Sequence, residues 1–198
     1  TGRKLRELMQ TLAHVEDKLL HFYFLAAPDF VIGPDADYAV RNVIGIAKAN
    51  PELARQVVRM RFAAKMILDK FSSKTIHPVA GVPGGFSKPM TEADRKEILE
   101  KMGELMDFAL FTIEFAKKEI FPKYLDAIQS VGVIRTGFIG TVDADGALNL
   151  YDGRIRLMKP DATYFEFDVG NYADHIGEHV EPYSYSKFPY ARCWNEGF

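Results

Sequence analysis

Between residues 50 and 120 the apolar positions step by threes and fours in two long runs, and this rhythm restricts the fold more than any other feature. Leu53, Val57, Met60, Ala64, Ile67 and Phe71 form one stripe. Ile98, Met102, Leu105, Ala109, Ile113, Ala116 and Ile120 form the other. Such steps gather side chains on one face of a helix, and their regularity fits helix-on-helix packing. Asn50-Pro51-Glu52 opens the first run and Thr91, three residues before Asp94, opens the second; both are helix-start signals. The pattern predicts two long antiparallel helices, with Pro122 interrupting the second and a short continuation to Ile128.

An earlier helix is expected over 4–26, from Leu5, Leu8, Leu12, Val15, Leu19 and Phe22, with Pro28 ending it. Its last turns, 19–27, are apolar on nearly every side, as in a helix buried within a larger body. A loop and a short helix over 40–47 follow. From Phe138 the period falls to two. Segments 138–142, 147–151, 154–158 and 164–167 read as strands, with Asp145-Gly146 and Asp152-Gly153 as turns. A short helix is expected over 172–179, then an irregular tail rich in aromatics: Tyr183, Tyr185, Phe188, Tyr190, Trp194 and Phe198. The expected class is mainly α (α+β): long antiparallel helices with a small antiparallel β meander at one end. Three regions are expected: a helical scaffold over 1–136, carrying a loop at 76–90; a small sheet over 137–168; and a short helix with an aromatic tail docking on the body over 169–198.

Composition removes several functions. The formal net charge of −2 gives no electrostatic reason for nucleic acid or an anionic membrane. No stretch approaches the roughly 20 apolar residues of a membrane span. No secretory signal pattern opens the sequence. Cys193 is the only cysteine, so neither an intrachain disulfide nor a thiolate metal cage can form. Low cysteine usage fits a cytoplasmic setting.

The segment with most chemical content is 76–86, Ile-His-Pro-Val-Ala-Gly-Val-Pro-Gly-Gly-Phe. A long irregular stretch between two helices is commonly functional or disordered. This one is apolar and stiffened by Pro78 and Pro83, while Gly84-Gly85 permits positive φ or close backbone approach. His77 has two readings: a buried imidazole beside a cofactor or subunit contact, or a side chain satisfying a backbone carbonyl in a tight crossover. His175 and His179 would share one face of a helix, as metal ligands can, but no third ligand is near. His14 and His21 stack on one side of the first helix, and a buried, hydrogen-bonded histidine is expected at position 21. The aspartates at 29, 35 and 37 read as turn formers, lacking calcium-loop spacing.

Four stretches together resemble nickel–iron hydrogenase large subunits, most closely the cytoplasmic NAD-linked and coenzyme-linked group. They are Leu19-Leu20-His21-Phe22-Tyr23-Phe24-Leu25-Ala26-Ala27-Pro28-Asp29; Ile76-His77-Pro78 through Pro83-Gly84-Gly85 and Ser87-Lys88-Pro89; Asp145-Gly146 through Leu150-Tyr151-Asp152-Gly153; and 180–190, Val-Glu-Pro-Tyr-Ser-Tyr-Ser-Lys-Phe-Pro-Tyr. The resemblance implies a central scaffold segment of such a subunit. The parent would oxidise hydrogen reversibly at a nickel–iron centre with carbonyl and cyanide ligands, held by two Cys-x-x-Cys motifs that this chain lacks. The segment would then hold no cofactor and catalyse nothing alone. It also implies contact with an iron–sulfur small subunit, with diaphorase subunits as further partners. His77 would be a hydrogen-bond donor near that interface, and Pro78, Gly84 and Gly85 would fix the loop. Two alternatives stand beside it: a non-catalytic relative of the respiratory complex I type, and a self-standing helical interaction domain.

Overall fold

A computed structural model describes residues 2–195 and divides the chain into two compact units, Thr1–Val131 and Gly132–Phe198. The fold is α+β, mainly helical with small antiparallel sheets, as the periodicities require.

In the first unit, helices α1 (Gly2–Leu20), α2 (Val43–Ala49), α3 (Pro51–Ser72), α4 (Glu92–Phe115) and α5 (Phe121–Ser130) carry the structure. Every residue of the α3 stripe is buried. The stripe packs with Leu12, Leu19 and Tyr23 from the α1 side and with Ile98, Leu105 and Phe108 of α4 in one cluster. Asn50 accepts from the Leu53 amide at 3.1 Å, capping α3. Thr91 and Asp94 close a reciprocal capping box on α4. Lys70 joins the end of α3 to the start of α4 through Asp94, at 3.2 Å, and Glu97. Asn50→Ala should lower stability by about 1 kcal/mol, because one amide of the first helical turn loses its acceptor; urea unfolding followed by circular dichroism measures this.

Several expectations are corrected here. Pro28 does not end the first helix. The chain widens into π-helical turns over His21–Ala26, and Pro28 opens a second such segment, Pro28–Ile32, where its missing N–H is least costly. Gly33, at φ 114°, ends it. A third π segment, Ala116–Ile120, joins α4 to α5. The segment 19–27 is not buried all round, since His21 and Leu25 are exposed. In α4 the inward column is Ile98, Leu105 and Phe108, whereas Ile113 faces outward.

Tyr23 and Phe108 form the centre of this core. Their rings stack at 5.5 Å. The Tyr23 hydroxyl lies 2.8 Å from Thr112 Oγ1, which itself donates to the Phe108 carbonyl, so the phenol is the donor. Burial pushes the Tyr23 phenol above its usual 10.0. Above pH 10.0 the unfolded chain therefore releases this proton first, and stability falls as pH rises. Tyr23→Phe should lack that component. Unfolding both proteins between about pH 8 and pH 11 tests it: the wild type should lose stability relative to the variant, and parallel curves would contradict the assignment.

The second unit holds a three-stranded antiparallel sheet, β3 (Phe138–Val142), β4 (Arg154–Met158) and β5 (Tyr164–Phe167), in the order β3-β4-β5. Alternation divides β4. Leu157 and Ile155 join Phe167, Ala191, Ile176 and Trp194 in a small core. Arg156, on the other face, pairs with Glu166 across the strands at 2.6 Å and lies over the Tyr164 ring at 4.2 Å.

The strand expected over 147–151 is absent, apart from a bridge between Val142 and Leu148. Asp143 Oδ1 takes the amides of Asp145 and Ala147, and Asn149 Oδ1 takes those of Tyr151 and Asp152. These side chains hold the backbone in turns instead of a ladder. The helix expected over 172–179 is only α6 (Tyr172–His175); the chain continues as β6 (Ile176–Val180) and pairs with β7 (Lys187–Ala191). Gly177 sits opposite Tyr190, whose ring lies over the place a side chain would take. The tail is thus partly a strand. Phe198 lies outside the described residues.

Candidate functional site

The stretch between α3 and α4 is ordered from its ends inward. Ser72, fully buried, donates to the Leu68 carbonyl at 2.5 Å, and the Val79 amide returns to the Ser72 carbonyl at 3.2 Å. Ala80 is buried, and its carbonyl accepts from the Ser87 amide at 2.7 Å. Two short strands, β1 (Gly81–Val82) and β2 (Gly85–Phe86), make a hairpin whose apex is Pro83-Gly84. Gly84, at φ 81°, and Ser73, at φ 70°, are two of the three positions here with a left-handed backbone. The Gly85 carbonyl accepts from Arg6 of α1 at 2.9 Å, and Phe86 stacks on Phe71 of α3 at 6.0 Å.

His77 is the third. It is left-handed, at φ 55°, immediately before Pro78, a conformation disfavoured on both counts. The buried placement expected for its imidazole is corrected: His77 is exposed, as are its neighbours Ile76 and Val79, at 72% and 53%. Ala80 is buried instead, and Phe86, half-buried, packs against the helical core. Pro78 and Gly85 are half-buried, and Gly84 is exposed. The four residues His77, Pro78, Gly84 and Gly85 therefore share one loop, fixed to α1 and α3 and presenting apolar groups and one imidazole to solvent.

The other histidines separate. His21 is exposed, not buried. His14 is half-buried, and its Nε2 has no partner; the same is true of Arg61 Nε. Arg61 of α3 bonds Glu16 of α1 and lies over the Phe24 ring at 5.1 Å. This polar seam between α1 and α3 went unnoticed in the sequence because its members lie far apart in the chain. His175 packs on Phe167, ring centres 4.3 Å apart, while His179 pairs with Glu181 at 2.8 Å. The single helix face proposed for this pair does not exist, because the backbone changes to strand at Ile176.

Among the described residues no group of three or more His, Cys, Asp or Glu side chains is placed to hold a metal ion. Cys193 is exposed. No helix among these residues is long and apolar enough to cross a membrane.

No family model matches the chain. It is 42% identical over 190 residues to the vhu A-subunit of the F420-non-reducing hydrogenase of Methanocaldococcus jannaschii, covering 96% of this chain and 45% of that protein. It is 38% identical to the iron-sulfur A-subunit of the F420-non-reducing hydrogenase of Archaeoglobus profundus, covering 96% of this chain and 40% of that one. A chain from the crystal structure of NAD+-reducing NiFe hydrogenase in the H2-reduced state superposes with a TM-score of 0.86 at 32% identity, over 96% of this chain and 43% of its own. The chain spans less than half the length of these relatives.

These names correct the expectation drawn from the four sequence stretches. Both hydrogenase relatives are A-subunits by name, one of them an iron–sulfur A-subunit; neither carries the designation of a nickel-dependent large subunit. The expectation of no cofactor in the segment, with a nickel–iron centre in the parent, is overturned by the same name, which gives that relative as an iron–sulfur subunit. The residues present do not fit an iron–sulfur group. A cluster is held by several thiolates, with histidine replacing some of them in certain types; this chain has one cysteine, exposed, and among the described residues no group of three or more His, Cys, Asp or Glu is placed to hold a metal.

Proposed function

We propose that this chain is a structural segment of a hydrogenase protein of the same kind as the A-subunits of F420-non-reducing hydrogenases, and that it works within a complex with other hydrogenase subunits. The observation that carries this reading is continuous similarity over 96% of the chain to such a protein, at 42% identity. The chain supplies shape: three packed helices hold the 76–90 loop in a left-handed, proline-locked geometry that a free peptide would not keep. The exposed face of that loop, with His77, Pro78 and Gly84, serves as a contact surface for a neighbouring subunit. Arg6 and Phe71 hold it from beneath. The iron–sulfur and diaphorase partners named above are the candidates for that contact.

Sequencing the gene on both sides of this stretch tests the reading. It predicts that the reading frame continues to roughly the length of the relatives, beside genes for other hydrogenase subunits. A frame closed at both ends, with no such neighbours, would favour a self-standing helical interaction domain.

A further inference from the structure

In the second unit the small sheet is covered unevenly. Ile139 of β3 and Leu157 of β4 stand opposite each other in register, so both project to the core side. Leu157 is 4% exposed, but Ile139 is 64% exposed. The core side is therefore closed over β4 and open over β3. The opening is a cavity of about 660 Å³, within the roughly 300–1,000 Å³ of small-molecule sites. β7 and the turn after it supply an aromatic wall, Phe188, Tyr190 and Trp194. Two of these rings lie against glycines. A Cβ on Gly137 would meet the Trp194 ring at 2.2 Å, and one on Gly177 would meet the Tyr190 ring at 2.5 Å. The Trp194 amide donates to the Ala191 carbonyl at 3.2 Å, fixing the turn that carries the indole. The charged residues of the lining are Arg135 and Lys159, both cationic. Arg135 is exposed, and Lys159 Nζ lies 5.6 Å from the centre of the Trp194 ring. Carboxylates on the flanking segments are engaged elsewhere. Asp161 accepts from the Thr163 amide and hydroxyl, at 3.0 and 2.6 Å, and Glu178 pairs with Lys187 at 3.0 Å.

We infer that this cavity binds a small flat aromatic molecule bearing one anionic group. The ring system lies on the floor of Ile139 and Leu157 and against the aromatic wall, where ring contacts add to apolar burial. The anionic group is taken by the Arg135 guanidinium, whose fork of N–H donors suits a carboxylate or phosphate. An apolar floor rejects a molecule charged throughout, and a lining with two cations and no carboxylate rejects a cationic one. Because the glycines set the two rings in place beforehand, little side-chain freedom is lost on binding. The inference stands apart from the hydrogenase reading, since it uses only side chains within residues 135–194.

The probe is 2-naphthoate, titrated into the 198-residue chain, with its neutral isostere 2-naphthamide as the control. Trp194 is the only tryptophan, so its single indole N–H resonance reports on the aromatic wall by NMR. That resonance should shift saturably with both compounds. The naphthoate should bind about tenfold more tightly than the amide, the worth of one charge-assisted contact. Arg135→Gln should abolish the tenfold advantage and leave the affinity for the amide unchanged, which also shows that the variant folds. An indole resonance that stays in place, equal affinity for the two probes, or an advantage that survives Arg135→Gln would each overturn the inference. Calorimetry repeats the naphthoate titration on the Methanocaldococcus jannaschii protein carrying this chain in place of its matching stretch. Unchanged affinity is expected there. Absence of binding would show that other polypeptide fills the cavity and would also overturn the inference, leaving the hydrogenase reading intact.

Discussion

Phe108→Ala should destabilise the helical unit by about 3–5 kcal/mol, the largest loss expected of any single truncation in the chain. Phe108 is 2% exposed and is the bulkiest of the fully buried side chains. Its ring stacks on Tyr23 at 5.5 Å and on Phe111 at 5.8 Å. It therefore fills the space where the α1 side, α3 and α4 meet, and alanine leaves a cavity that three rigid helices cannot close. The variant also removes the packing that holds Tyr23 against Thr112. Urea unfolding, followed by helical circular dichroism, gives the number. A loss below about 1 kcal/mol would mean that the helices relax into the cavity and that this cluster is not the stabilising centre.

The second large effect belongs to the other unit. Gly153→Ala should cost about 3 kcal/mol or prevent the three-stranded sheet from forming. Gly153 is buried, and a Cβ there would lie 2.4 Å from the Asn149 carbonyl oxygen and 2.9 Å from the Val142 amide nitrogen. Both obstacles are backbone, held by the Asn149 turn and by the β3–β4 ladder, so neither can rotate aside as a side chain would. Trp194 is the only tryptophan and packs against the small core of this unit, which makes its fluorescence a local reporter. The variant should lose the Trp194 transition at lower denaturant while the helical signal of the first unit persists. An unchanged Trp194 midpoint would contradict the packing described around Gly153.

What could be read from the sequence depended on whether one physical signal dominated. The α3 stripe was legible because α3 buries a single face, so period and burial coincide. In α4 the same period selected Met102, Ala109 and Ile113, because a helix with two apolar faces offers two columns and spacing cannot rank them. Strands β3, β4 and β5 were legible by alternation. Segment 147–151 was misread because Asp143 and Asn149 capture amides that a ladder would have used, a competition that hydropathy does not register. Residues 176–180 looked helical until paired with 187–191, a partnership set by the fit of Tyr190 over Gly177. The π-helical turns leave no hydropathy mark.

The candidate loop shows the same division. Its rigidity was legible in Pro78, Pro83, Gly84 and Gly85. The direction of His77 was not, because an apolar loop can turn its apolar groups inward or present them to another surface. Here Ala80 and Phe86 go in, and Ile76, His77 and Val79 go out. The Arg61–Glu16 pair, beside the unpartnered His14 nitrogen, had no motif to announce it. Likeness to hydrogenases was carried by four short stretches. The kind of subunit was not, since the names of the relatives differ from the nickel-dependent designation that those stretches suggested.

The central claim is that these 198 residues serve as an interchangeable structural segment of a hydrogenase protein. Hydrogen-dependent dye reduction by a chimera, in which this chain replaces the matching stretch of the Methanocaldococcus jannaschii protein and is expressed with that enzyme's other subunits, measures it most directly. Activity in the chimera, and none from the 198-residue chain alone, is the predicted result. A correctly folded chimera that copurifies with its partner subunits yet reduces no dye, or a chain that reduces dye unaided, would contradict it.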